Sequence, residues 1–74
     1  MNDILWTSVK VTDFKTFYTP SEDEEKVLEA WRKNWSPAKT ARDCGMSEAT
    51  VYRHRHKLRQ VYNQVKKYSP ILSE

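Results

Sequence analysis

Seventy-four residues carrying a net charge of +3 and 31% charged side chains leave room for one domain at most, since domains usually run to about 100–150 residues. A single cysteine, Cys44, excludes an internal disulfide and cysteine-based metal binding, and suits a reducing compartment. No apolar stretch approaches the roughly 20 residues that span a bilayer, and no leader-like pattern opens the chain, so a cytoplasmic protein with no membrane partner is expected.

In chain order, residues 1–18 form the first unit. Ile4, Trp6, Val9, Val11, Phe14 and Phe17 are apolar, and β-branched or aromatic types dominate. Val9-Lys10-Val11-Thr12 alternates, without the turn signal of a hairpin. This predicts a short strand or an extended N-terminal arm lying on a later helix, with self-association through the same surfaces as the alternative.

Residues 19–68 read as three helices. Thr19-Pro20-Ser21-Glu22 supplies a capping hydroxyl, a proline for the first helical position and a glutamate three residues after the cap. Ser21 and Glu24 repeat that box two residues later. The acids Glu22 to Glu25 then suit the positive end of a helix dipole, and Val27, Leu28, Trp31 and Trp35 mark a buried stripe. A first helix over about 20–33 follows. Ser36-Pro37 opens a second, with Ala38, Ala41 and Cys44 as its apolar face, and Gly45 stops it because a left-handed residue there favours glycine. It is the only glycine in the chain.

Ser47 caps the third helix, which runs from Glu48 to Tyr68 without proline or glycine until Pro70 blocks it. Val51, Leu58 and Val65 recur every seven residues, with His54, Val61 and Tyr68 between them. At about 1.5 Å per residue such a helix is roughly 32 Å long, more than two short helices can cover. Val61, Tyr62, Val65 and Tyr68 therefore need a further partner, either the N-terminal arm or a second copy of the chain. Residues 69–74 are expected as a tail. The fold class is all-α, trihelical, with a long third helix.

The charge is one-sided. Residues 1–29 hold three basic and seven acidic side chains, a net of −4, and residues 30–74 hold ten basic and three acidic ones, a net of +7. Such a field draws a polyanion to the second half. The segment from Pro37 to His54 adds the second indication. Ala41 is small enough for two helices to touch, Gly45 turns the chain four residues later, and Met46 and Val51 plug the joint ahead of a basic helix.

With Thr19-Pro20, Ala41, Gly45, Ser47, Thr50, Val51 and His54 as the matching positions, residues 19–59 resemble the trihelical helix-turn-helix of LuxR-type regulators and of the promoter-reading C-terminal region of sigma factors. Ser47 to His54 also resembles the DNA-binding tail of Hin-type serine recombinases. The chain departs from LuxR regulators after Arg59, where their dimerising fourth helix gives way to a continuing third helix.

The resemblance implies double-stranded DNA as partner and the third helix as the reader of a major groove. With Val51, His54, Leu58 and Val61 facing the core, the opposite face carries Glu48, Ala49, Tyr52, Arg53 and His56 as base-edge candidates. Arg53 leads, because a guanidinium bonds both acceptors of a guanine. Ser47, Thr50, Lys39, Thr40, Arg55 and Arg59 are phosphate candidates.

A transcription regulator of bacterial or phage type is expected, associated with the nucleoid, acting as a homodimer and contacting RNA polymerase or another regulator. A packaging or architectural component and a protein-interaction adaptor are the alternatives. His54 and His56 lie on different helix faces, so no metal site is expected, and no cofactor is implied. His54 is read as a structural histidine, Cys44 as a small buried apolar residue, and Trp31 and Trp35 as core anchors. No activated nucleophile, carboxylate pair or phosphate-cradling glycine loop suggests catalysis.

Overall fold

The computed structural model describes residues 4–73, and all its regular structure is helical. In order come α1 (Ser8–Phe17), α2 (Glu22–Arg32), α3 (Pro37–Cys44) and α4 (Glu48–Val65), which a 3-10 turn (Lys66–Tyr68) prolongs, and a final single turn, α5 (Pro70–Ser73). Helices α2 and α3 both pack on α4 and on each other, while α1 touches α2, α4 and α5.

The N-terminal arm is corrected. Residues 8–17 are a helix, not a strand or an extended arm, and only residues 4–7 and Tyr18 of the described segment are irregular. Thr7 caps the helix by accepting from the Lys10 amide at 3.1 Å. Val11 and Phe14, three residues apart, are buried, and half-buried Tyr18 continues their line with its ring 5.7 Å from that of Phe14. Burial of this face overrides the weak helix propensity of a segment rich in valine, threonine and phenylalanine. The hydroxyls of Thr12 and Thr16 turn back to the carbonyls of Ser8 and Asp13, which satisfies them without leaving the helix.

The tail is corrected as well. Ser69 is buried and caps α5, its Oγ accepting from the Leu72 amide at 3.3 Å and donating to the Asp13 carboxylate on α1. Leu72, 1% exposed, plugs the end of the core, and its carbonyl accepts from the Tyr62 hydroxyl. Residues 1–3 and 74 of the predicted arm and tail lie outside the described residues.

The first helix of the trio begins at the second of its two candidate boxes. Ser21 accepts from the Glu24 amide at 3.2 Å, and the Glu24 carboxylate accepts from the Ser21 amide at 2.9 Å. The helix ends with Asn34 at φ 64°, whose amide donates to the Trp31 carbonyl while the Trp35 amide reaches that of Ala30. These are the paired bonds of a Schellman motif.

One core joins all five helices: Val11 and Phe14 from α1, Val27, Leu28 and Trp31 from α2, Ala41 from α3, Val51, Leu58 and Tyr62 from α4, and Leu72 from α5. Trp6, from the irregular lead-in, sits at its centre, edge-on to Phe14 at 5.1 Å, Trp31 at 5.7 Å and Tyr62 at 5.2 Å. Edge-to-face pairs of this kind add about 0.5–1.5 kcal/mol each beyond the area they bury. Among the described residues, no helix is long and apolar enough to cross a membrane.

Candidate nucleic-acid interface

The interface candidate is built by the α3–α4 corner. Ser36 accepts from the Lys39 amide at 3.1 Å to start α3, with Pro37 at the first helical position. Gly45 ends it at φ 69° and ψ 37°, and the Met46 amide closes on the Ala41 carbonyl at 3.0 Å. Ser47 then starts α4, accepting from the Thr50 amide at 3.1 Å. Two capped helices thus meet through Gly45, Met46 and Ser47, and half-buried Met46 packs on the core beneath the turn.

Glu48, Ala49, Tyr52, Arg53 and His56 are all exposed, while Val51 and Leu58 on the other side of α4 are fully buried. Tyr52 keeps 56% of its surface open. Arg53 Nη2 donates to Thr50 Oγ1 at 3.0 Å, and Ser47 Oγ donates to the same oxygen at 2.9 Å. A hydrogen bond on an exposed helix face contributes only about 1 kcal/mol, so the guanidinium is held near the corner without being locked there.

The phosphate candidates divide. Ser47 is exposed and Thr50 half-buried beside it. Lys39 is half-buried, bridges to Asp43 at 2.9 Å and lies 4.5 Å from the centre of the Trp35 ring. That ammonium and Arg42 hold the Asp43 carboxyl below its ordinary value, its bond to Lys39 being the largest cause.

Thr40 is corrected: it is fully buried, and its hydroxyl donates to the Ser36 carbonyl at 2.9 Å, so no phosphate reaches it. Arg55 turns away from the exposed face. Its Nη2 donates to the Trp35 carbonyl at 2.9 Å and its guanidinium stacks on Trp31 at 4.8 Å, tying α4 to the end of α2. Arg59 stacks on the same indole at 5.3 Å. Both are half-buried, with their charge engaged by an aromatic face.

The late α4 residues expected to need a partner find most of it within the chain. Tyr62 is buried under Trp6 and Leu72, which removes it from any surface available to a second copy. Val61 and Val65 pack on the core, and Tyr68 is 73% exposed. Trp31 is buried, but Trp35 is only half-buried, as is Cys44. Lys33, absent from the sequence reading, lies 5.3 Å from the Trp35 ring; lysines two before and four after a surface indole were the available signal.

Behind the candidate interface, α2 is tied to the end of α1 by one buried carboxylate. Glu24 is 9% exposed and accepts from the Tyr18 hydroxyl at 2.6 Å. Burial pushes its pKa up, but the Tyr18 and Ser21 hydrogen bonds and the electrostatic influence of nearby His54 and Lys57 outweigh that and hold it below 4.5. The same hydrogen bond is the main reason the Tyr18 phenol is pushed up to about 12. Among the described residues, no cluster of three or more histidine, cysteine or acidic side chains is placed to hold a metal ion. No family model, curated protein or solved structure matches the chain.

Proposed function

We propose that α2, α3 and α4 act as a helix-turn-helix that reads duplex DNA, and that the chain is a sequence-specific transcription regulator. One observation carries the reading. The first three turns of α4, which begins just past the left-handed Gly45, project Glu48, Ala49, Tyr52, Arg53 and His56 away from the core, although the same helix buries Val51 and Leu58 completely. A helix start with free edge-reading side chains, in the more basic half of the chain, is what a major groove accepts. Ser47, Thr50 and Lys39 flank that start and grip phosphate. Arg55 and Arg59 serve instead by fixing the angle of α4 against Trp31.

The test is duplex selection from a random pool at low and moderate salt. A regulator selects a defined site and loses affinity steeply between about 50 and 200 mM salt. Arg53→Ala then costs about 1–3 kcal/mol and relaxes one base pair, whereas Lys39→Ala weakens every sequence alike. Salt-sensitive binding with no selection favours an architectural or packaging role. Absence of binding overturns the proposal and leaves a protein adaptor.

A further inference from the structure

We infer, resting on the DNA reading above, that Lys33 and Lys39 clamp the phosphate backbone of the duplex beside α4, with Trp35 as the positioning residue that gathers them. Lys33 is the C-cap of α2 and Lys39 sits in the first turn of α3, so the two lysines come from separate helices. Yet both ammoniums lie over one indole, Lys33 at 5.3 Å and Lys39 at 4.5 Å from the centre of the Trp35 ring. The negative face of the ring attracts each cation and holds two long side chains near one spot. The backbone beneath them is fixed from both sides. Asn34, at φ 64°, closes the turn that ends α2, and the Trp35 carbonyl accepts from Arg55 Nη2 of α4 at 2.9 Å.

Charge identifies the occupant. Lys33 is exposed and makes no ion pair among the described residues. Lys39 shares the Asp43 carboxylate with Arg42, whose Nε lies 3.6 Å from it. Three cations therefore meet one carboxylate, which leaves positive charge gathered at the indole without a counterion from the chain. An exposed ion pair contributes little, so Lys39 can exchange Asp43 for a stronger anion. Phosphates that recur about every 3.4 Å along a DNA strand offer such anions to two neighbouring ammoniums at once.

Placement agrees with charge. Lys39 precedes Gly45 by six residues, about 9 Å along α3 at about 1.5 Å per residue, and a major groove is about 12 Å wide. With the start of α4 in that groove, the clamp comes against the strand that borders it. Arg55, bonded to the Trp35 carbonyl, fixes the clamp relative to α4.

The test is the salt dependence of duplex binding by the full chain, measured on its selected site from about 50 to 200 mM. Each phosphate contact adds about 0.9 to the slope of log affinity against log salt. Lys33→Gln is expected to lower that slope by about 0.9, a three- to fourfold smaller loss over this range, with base preference unchanged. Adding Lys39→Gln should lower it by about as much again. Trp35→Ala removes no charge yet should also lower the slope, and Trp35→Tyr, which keeps a cation-binding ring, should restore it. Lys67→Gln, past the end of α4, should keep the parent slope. A parent slope in Lys33→Gln or in Trp35→Ala overturns the inference, as does an equal fall in Lys67→Gln. Lys33 is exposed, so its variant keeps the test open even where Trp35→Ala fails to fold. The two failures are distinguishable: an unchanged slope with duplex still bound removes only the clamp, whereas a parent chain that binds no duplex removes the DNA reading and the clamp with it.

Discussion

Replacing Gly45 with alanine isolates the cost of the turn on which the interface depends. The residue sits at φ 69° and ψ 37°, in the left-handed region, and a Cβ built there meets no atom within 4 Å. Steric collision therefore adds nothing, and the penalty reduces to the intrinsic cost of the left-handed conformation for an L-residue, about 1–2 kcal/mol. Against this stands the smaller conformational freedom of alanine in the unfolded chain, which returns about 0.4–1 kcal/mol. A net loss of about 0.5–1.5 kcal/mol is expected in urea unfolding, with an unchanged m-value. Asparagine, which tolerates this region, should lose less than alanine. Proline should lose far more, since its fixed φ is incompatible and it deletes the amide that donates to the Ala41 carbonyl. If alanine bears the strain, duplex affinity per folded molecule stays at the parent value. A loss above about 3 kcal/mol, or a gain in stability, would refute the claim that backbone conformation alone makes this position glycine.

Three further outcomes follow from the same geometry. Leu72→Ala should cost about 2–5 kcal/mol by chemical unfolding, because a fully buried leucine is deleted from the core; a surface tail would lose almost nothing. Thr40→Val should leave duplex affinity unchanged and shift stability by no more than about 1 kcal/mol, since the Ser36 carbonyl it abandons still accepts from the residue-40 amide. Glu24 has a folded pKa below 4.5, so its contribution to stability is complete above that value and is lost as pH falls through the folded pKa; Tyr18, raised from 10.0 to about 12, contributes below pH 10 and loses that contribution as pH rises toward 12. Glu24→Gln should flatten the acid limb of the urea midpoint and move the late-titrating phenol in ultraviolet absorbance back toward 10; no change in either would separate the two groups.

How much of this was legible in the sequence is clearest at three look-alike signals. Ser36-Pro37 and Ser69-Pro70 both start helices, yet only the first is readable as a start, because an apolar periodic segment follows it and only a few residues follow the second. The Ser69 hydroxyl that accepts from the Leu72 amide also donates to Asp13, fifty-six residues earlier, a tie to α1 that no local pattern encodes. Thr19-Pro20 has the same lettering but stays outside α2, because Ser21 and Glu24 close a reciprocal box that the earlier pair does not. In α1 the alternation of residues 9–12 suggested a strand, while the spacing of Val11, Phe14 and Tyr18 held the helical signal. The exposed face of α4 was readable because Val51 and Leu58 fix its phase. The turning-in of Arg55 was not, since it depends on where Trp31 and the Trp35 carbonyl come to rest.

Contacts distant in sequence also explain how so short a chain holds α4 firmly. Helix α4 spans about 27 Å at 1.5 Å per residue, and the short helices α2 and α3 cannot flank all of it. Left there, Val61, Tyr62 and Val65 would demand a second molecule before the first was stable. Trp6 and Leu72 meet that demand from the two ends of the chain, closing over Tyr62 from opposite directions in sequence. Val51, Leu58 and Tyr62 then anchor α4 at successive levels, and Arg55 and Arg59 brace it sideways on Trp31. With the backbone of α4 ordered beforehand, the proposed docking into a groove would immobilise only side chains such as Tyr52 and Arg53, at about 0.5–1.5 kcal/mol each, and would avoid the larger cost of folding a helix on its target. Because the core is closed within one chain, folding does not depend on a second copy.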